Sequence, residues 1–188
     1  MKRLPHLLAR LAALPLCTLP AAASEPSPRS AWLPDGGFVQ AGVAETARTL
    51  TIGATWAWSW RRPWAGGQLG GYWEASFGRW ASDLEDGRGS TAWVTQLGVT
   101  PALRWSPDGA RWFLEGGIGA NLLLPIYRSK DKRFSTRFNF GDHLAVGWRL
   151  GQRHEHELAL RIQHYSNAGI RRPNPGEDFL QLRYTRSL

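Results

Sequence analysis

From Gly37 onward the chain alternates apolar and polar residues with a period of two, and it does so in eight segments. They run over about 37–45, 49–61, 68–80, 92–106, 111–125, 136–150, 155–169 and 179–187, with turn-forming residues between them. Successive strand side chains point to opposite faces, so the pattern demands strands with one greasy side. In the second segment Leu50, Ile52, Ala54, Trp56, Trp58 and Trp60 share a face opposite Thr51, Gly53, Thr55, Ala57 and Ser59. The fifth sets Trp112, Leu114, Ile118, Leu122 and Leu124 against Glu115, Gly117, Gly119 and Asn121. No segment carries a helical period. Most approach or exceed the ~9–11 residues that a tilted strand needs to cross a bilayer.

Periodicity alone leaves two architectures open. A soluble barrel turns its greasy face inward, around a lipid for instance. A membrane barrel turns that face to lipid and fills its lumen with polar and small residues. Loop lengths favour the second, because short connections at 62–67, 107–110 and 151–154 alternate with longer charged ones at 81–91, 126–135 and 170–178. Only the first outer loop, near Thr46, is short. Trp60, Trp64, Trp105, Trp112 and Trp148 flank the short turns, as an interfacial girdle does. The expected fold is all-β, an eight-stranded antiparallel transmembrane β-barrel of the bacterial outer membrane. A multi-pass chain of this kind places its long loops outside the cell.

The N-terminus agrees with export. Lys2 and Arg3 precede an apolar run from Leu7 to Leu19, and Pro20-Ala-Ala-Ala-Ser24 supplies small residues for cleavage. Residues 1–23 read as a signal peptide, cut after Ala23 or Ser24, with 24–36 as a leader and 37–188 as the barrel. Cys17 leaves with the signal and follows Leu16, a poor lipoprotein box, so a disulfide-stapled fold is excluded. The formal charge is +8, of which Lys2, Arg3 and Arg10 supply three and leave +5. Export rules out nucleic acid as the partner of that excess, and an anionic membrane replaces it.

One strand carries chemistry. In Arg161-Ile-Gln-His164-Tyr-Ser166-Asn167-Ala-Gly169, His164 and Ser166 share a face with Leu158, Leu160 and Ile162. Strand order places the pair near the outer leaflet and parity turns it toward lipid, where polar groups need partners. A hairpin centred on Arg153 sets Asp142 opposite His164, Leu144 opposite Ile162 and Trp148 opposite Leu158. A slip of two residues moves Asp142 beside Ile162 or Ser166. The last outer loop brings Glu177, with Asp178 as its rival. A Ser–His–carboxylate set works because the imidazole takes the hydroxyl proton while the acid fixes its tautomer. Asn167, Asn174 and the Gly169 amide are candidates to hold an oxyanion or support the turn. Neither a metal-ligand spacing nor a phosphate-cradling glycine motif occurs, and His154, Glu155 and His156 read as a solvated turn.

The run His164-Tyr-Ser166-Asn167-Ala-Gly169, then Pro173-Asn174 and Gly176-Glu177, resembles the signature of the lipid A 3-O-deacylases, the PagL family of outer-membrane esterases. Phe140 and Asp142 resemble that family's pattern in the preceding strand. The loop ahead of the glutamate is slightly shorter than in the family. The resemblance implies His164 as base, Ser166 as nucleophile and Glu177 as orienting acid. It further implies hydrolysis of the ester-linked acyl chain at position 3 of lipid A, with lipopolysaccharide as substrate and no metal or other cofactor. Arg128, Lys130, Lys132, Arg133, Arg171 and Arg172 in the outer loops are candidates to pair with lipid A phosphates. Two other functions stay open: a non-enzymatic barrel serving adhesion or envelope integrity, and a soluble periplasmic lipid binder. Whether two copies pair as a homodimer is left open as well.

Overall fold

The alternating segments form strands that close on themselves. The computed structural model describes residues 32–84 and 89–188, so the signal peptide, its cleavage site and most of the leader lie outside the described residues. The strands are β1 (Gly36–Val43), β2 (Ala47–Ala57), β3 (Arg62–Trp64), β4 (Gly67–Asp83), β5 (Thr91–Pro107), β6 (Trp112–Leu124), β7 (Phe138–Leu150), β8 (His156–Ser166) and β9 (Glu177–Ser187). Every pairing is antiparallel, and β1 bonds to both β2 and β9 while β2 bonds to β4. The sheet therefore has no free edge. The short β3 continues β2 along β4, which makes the ring eight-stranded.

The break between β2 and β3 interrupts what the alternation reads as one segment, 49–61. Trp58 donates its backbone N–H to Gly71 O at 2.9 Å and lays its ring where a Gly71 side chain would stand. Its ring also stacks on Trp60, with centroids 5.6 Å apart. Beyond it, Ala65 and Gly66, with φ of 48° and 70°, make the two-residue turn into β4. Positive φ at both central positions matches the twist of a tight hairpin. The turns 65–66, 108–111 and 151–155 lie at this end, and the short turn 44–46 lies at the other with the longer loops 125–137 and 167–176.

Burial decides the orientation of the wall. Ile52, Phe77, Val99, Ile118, Leu144 and Ile162 are exposed, whereas Gln40, Glu74, Gln96, Glu115, Asn139 and Arg161 are buried. The greasy face points outward, as lipid requires, and a lumen packed with charge overturns the soluble lipid-binding alternative.

Inside lie two layers. The middle one is ionic. Glu115 accepts from Arg104 at 2.9 Å, Arg161 at 3.0 Å and the Tyr72 hydroxyl at 3.1 Å. Glu74 accepts from Arg183 and Arg161, and Glu157 joins Arg104 to Arg149. Buried charges survive only when each is paired in this way. The layer toward the long loops is aromatic: Trp80 meets Tyr165, Phe179 and Tyr127 edge-on, with centroids at 4.7, 4.8 and 5.4 Å. That cluster backs the strand ends that carry the site.

Candidate active site

The ladder between β7 and β8 takes the register expected from the hairpin. Asp142 faces His164, Leu144 faces Ile162 and Trp148 faces Leu158. Phe140 faces Ser166 and stands at the outer end of β7, edge-on to Phe138 at 5.2 Å. His164 and Ser166 both point out through the wall, while Tyr165 between them turns into the aromatic layer.

The carboxylate that meets His164 comes from β9, and it is that of Asp178 rather than Glu177. Asp178 pairs with His164 across the β8–β9 ladder, and its Oδ1 lies 2.6 Å from His164 Nδ1. A carboxylate there selects the tautomer with the proton on Nδ1 and leaves Nε2 as the basic nitrogen. Side-chain exposure is 43 % for His164 and 72 % for Asp178. Glu177, the acid expected from the resemblance, is one residue out of phase. Period-two alternation turns it into the barrel, where it is only 1 % exposed. Its carboxylate accepts from the Tyr127 hydroxyl at 2.5 Å and from Lys132 Nζ at 3.0 Å. Burial, reinforced by that hydrogen bond to Glu177, pushes the Tyr127 hydroxyl up, so it keeps its proton and donates. The slightly short loop fits this outcome, since the acid that meets the histidine is the next residue along.

Asp142 makes no hydrogen bond to His164. Its Oδ1 is buried in the wall with no partner among the described residues, an unfilled acceptor beside the site. Gly176 was missed as a site residue. Its φ is +70°, and a Cβ placed there would lie 2.5 Å from His164 Cε1, so the bare backbone packs against the imidazole. The pairing of an alternation period with a Gly just before β9 is a signal visible only once the register is known.

The oxyanion candidates are rearranged too. Asn167 N–H donates to Asn174 Oδ1 at 2.9 Å, and Gly169 N–H donates to Asn167 Oδ1 at 3.0 Å. Asn167 Nδ2 reaches Ser135 Oγ, Thr136 Oγ1 and Arg171 O, tying the last two long loops together. The Asn167 and Gly169 amides are thus engaged within the loop, and Asn174 contributes an acceptor. The amide directed at Ser166 Oγ is that of Ala168, at 3.4 Å, on a residue held at φ 51°. Ser166 and His164 are not hydrogen-bonded to each other in this conformation. Nucleophile–base hydrogen bonds commonly tighten when substrate is seated.

Of the six loop cations named from the sequence, four converge. Arg128, Arg133, Arg171 and Arg172, joined by Arg137, line a cleft of about 600 Å³ whose lining contains no acid. Arg137 was missed because it stands outside the run 128–133. Lys132 is instead committed to Glu177, and Lys130 lies 3.9 Å from Asp131, so neither belongs to the cleft. Among the described residues no group of three or more His, Cys, Asp or Glu side chains gathers to hold a metal.

Known proteins share this sequence pattern and fold. The family model described as lipid A 3-O-deacylase (PagL) matches residues 49–187, most of the chain. The chain belongs to that family. It is 29 % identical to a lipid A deacylase PagL of Pseudomonas aeruginosa over 175 residues, 91 % of this chain and 95 % of that protein. It is 42 % identical to a lipid A deacylase PagL of Bordetella bronchiseptica over 100 residues, spanning about half of each, 53 % of this chain and 54 % of the relative. The crystal structure of the outer membrane enzyme PagL superimposes with a TM-score of 0.68 at 25 % identity, covering 81 % of this chain and 99 % of that one.

Proposed function

We propose that this chain is an outer-membrane serine esterase that hydrolyses the 3-O-linked acyl chain of lipid A in lipopolysaccharide. Ser166 is the nucleophile, His164 the base and Asp178 the orienting acid. The observation that carries the reading is the 2.6 Å contact of Asp178 with His164 Nδ1 on the outward wall, two residues from Ser166. Nothing about barrel stability calls for polar groups there, since lipid penalises them. An ester substrate in the outer leaflet supplies the missing partner.

The steps follow from the groups present. His164 Nε2 takes the Ser166 hydroxyl proton as Oγ attacks the ester carbonyl, and the imidazolium that forms is stabilised by Asp178. The carbonyl oxygen becomes an oxyanion beside the Ala168 amide, whose N–H lies 3.4 Å from Ser166 Oγ. Collapse breaks the C–O bond to the sugar, and His164 returns the proton to the sugar hydroxyl. Water, deprotonated by the same nitrogen, then releases the fatty acid from Ser166. Asn167, Asn174 and Gly169 hold the turn, and Asp142 lends an acceptor at its edge.

The surroundings suit such a substrate. An apolar groove of about 490 Å³, lined by Phe77, Leu97, Ala120, Leu122 and Phe138, runs along the wall on the Phe140 side of Ser166 and offers a seat for an acyl chain. Above it the arginine cleft suits phosphate. Arg128 and Arg133 face each other across a β-bridge, and like charges directly opposite destabilise a hairpin unless an anion lies between them.

The test is direct. Folded protein in detergent, incubated with lipopolysaccharide, should remove one 3-hydroxyacyl group from lipid A by mass spectrometry. Ser166→Ala and His164→Ala should not, losing about 10⁶-fold in rate. An unchanged lipid A spectrum in several detergents, from protein that shows heat-modifiable gel migration, would overturn the assignment.

A further inference from the structure

Asp178 is the acid of the proposed reactive set, yet almost nothing on its own face holds it. Its side chain is largely in the open, and among the described residues its single side-chain partner is His164 itself. A group placed this way owes its position to its backbone. On the inward face that backbone is pinned on both sides, by Glu177 and by Phe179, which packs on Trp80 at 4.8 Å. The Glu177 contact is the more specific of the two. A buried carboxylate is costly without partners, and a packed apolar residue would fill the same space without that cost. Glu177 has two partners, and both come from one hairpin.

That hairpin is Tyr127–Phe134. Its ends are tied by Phe134 N–H to Tyr127 O at 3.1 Å, and its tip by Ser129 N–H to Lys132 O at 2.8 Å. Tyr127 is fully buried against Trp80 and Phe134, so its hydroxyl is a fixed donor. Lys132 reaches down from the tip to the other carboxylate oxygen. The same hairpin presents Arg128 and Arg133 to the cleft.

We infer that Glu177 is a positioning residue: gripped by Tyr127 and Lys132 inside the barrel, it fixes through the shared backbone the outward Asp178 that orients His164. Neighbouring acids thus divide the work, one as anchor and one as the group that touches the histidine. The hairpin that lines the arginine cleft also holds Glu177. The inference rests on the proposed Ser166–His164–Asp178 reading.

Steady-state kinetics on the full chain in detergent, with lipopolysaccharide, tests it. Asp178→Asn decides the underlying reading and should lower kcat about 10⁴-fold. Glu177→Leu should lower kcat about 10- to 100-fold, with KM within about twofold, because misplacement of a reacting group by a fraction of an ångström to one ångström acts on turnover. Glu177→Gln, which keeps an acceptor for Tyr127, should recover most of that loss, an outcome foreign to an acid that itself orients the base. Adding Glu177→Leu to Asp178→Asn should cost little more, since both act through one group. Tyr127→Phe removes a single hydroxyl and should lower kcat several-fold, which keeps the test standing if Glu177→Leu does not fold.

Full independent losses in the double variant overturn the anchor while leaving Asp178 in place, and so does wild-type kcat in both Glu177→Leu and Tyr127→Phe. An inactive Glu177→Gln beside an active Asp178→Asn overturns the anchor and the Asp178 reading together.

Discussion

The lumen and the wall use the same pairings of base and carboxylate to opposite ends. In the lumen, Glu115 takes three donors from Arg104, Arg161 and Tyr72, of which Arg161 and Tyr72 are buried and Arg104 is partly so. On the wall, Asp178 takes one, from a histidine that is itself partly open. A carboxylate saturated by arginines holds strands together and has nothing left to exchange. A carboxylate with a single imidazole partner stabilises little but sets which nitrogen carries a proton. The difference is made by the number of donors, by depth and by the donor itself, since an arginine keeps its proton while an imidazole exchanges one.

Breaking each cluster should therefore give opposite signatures. The largest effect expected is on folding: Glu115→Ala leaves Arg104 and Arg161 buried beside a missing partner and should cost about 3–5 kcal/mol. Its heat-modifiable band should melt at clearly lower temperature, while the folded fraction keeps its turnover. Asp178→Asn should do the reverse, leaving the melting profile within about 0.5 kcal/mol of the parent and removing most turnover. If Asp178→Asn melted early, or Glu115→Ala lost turnover at full fold, the division between the two regions would fail.

Gly176→Ala sharpens the wall side. A methyl there meets His164 Cε1 at 2.5 Å and strains a φ of +70°, so the ring must move. We expect kcat to fall roughly tenfold with KM nearly unchanged. The smallest effect belongs to the cleft. Arg171→Ala combined with Arg172→Ala should raise KM for phosphorylated lipid A roughly fivefold, exposed pairs being worth up to ~1 kcal/mol each. The same double change should leave KM for a dephosphorylated substrate in place; equal effects on both substrates would remove phosphate from the cleft.

Much of the wall was legible from local pattern. The alternation through Leu158, Leu160, Ile162, His164 and Ser166 fixes one face, and the short turn at Arg153 fixes the Asp142–His164 pairing. Short turns constrain register to a few choices, and a buried or lipid-facing side rejects a slip by one. Long loops do not. The segment 167–176 leaves the phase of β9 undetermined by up to a residue, and one residue exchanges inside for outside. Arg137 and Gly176 were illegible for a related reason, because each matters through a neighbour distant in sequence.

The sequence by itself determined an all-β chain with one greasy face and the placement of His164 and Ser166 on that face. Those follow from a period of two, which each strand carries within itself. The tertiary structure alone decided that Asp178 faces His164 while Glu177 turns inward to Tyr127 and Lys132. That choice is a matter of phase. It is set where β9 meets β8 across a ten-residue loop and where the aromatic layer claims Phe179, and no local pattern encodes either contact.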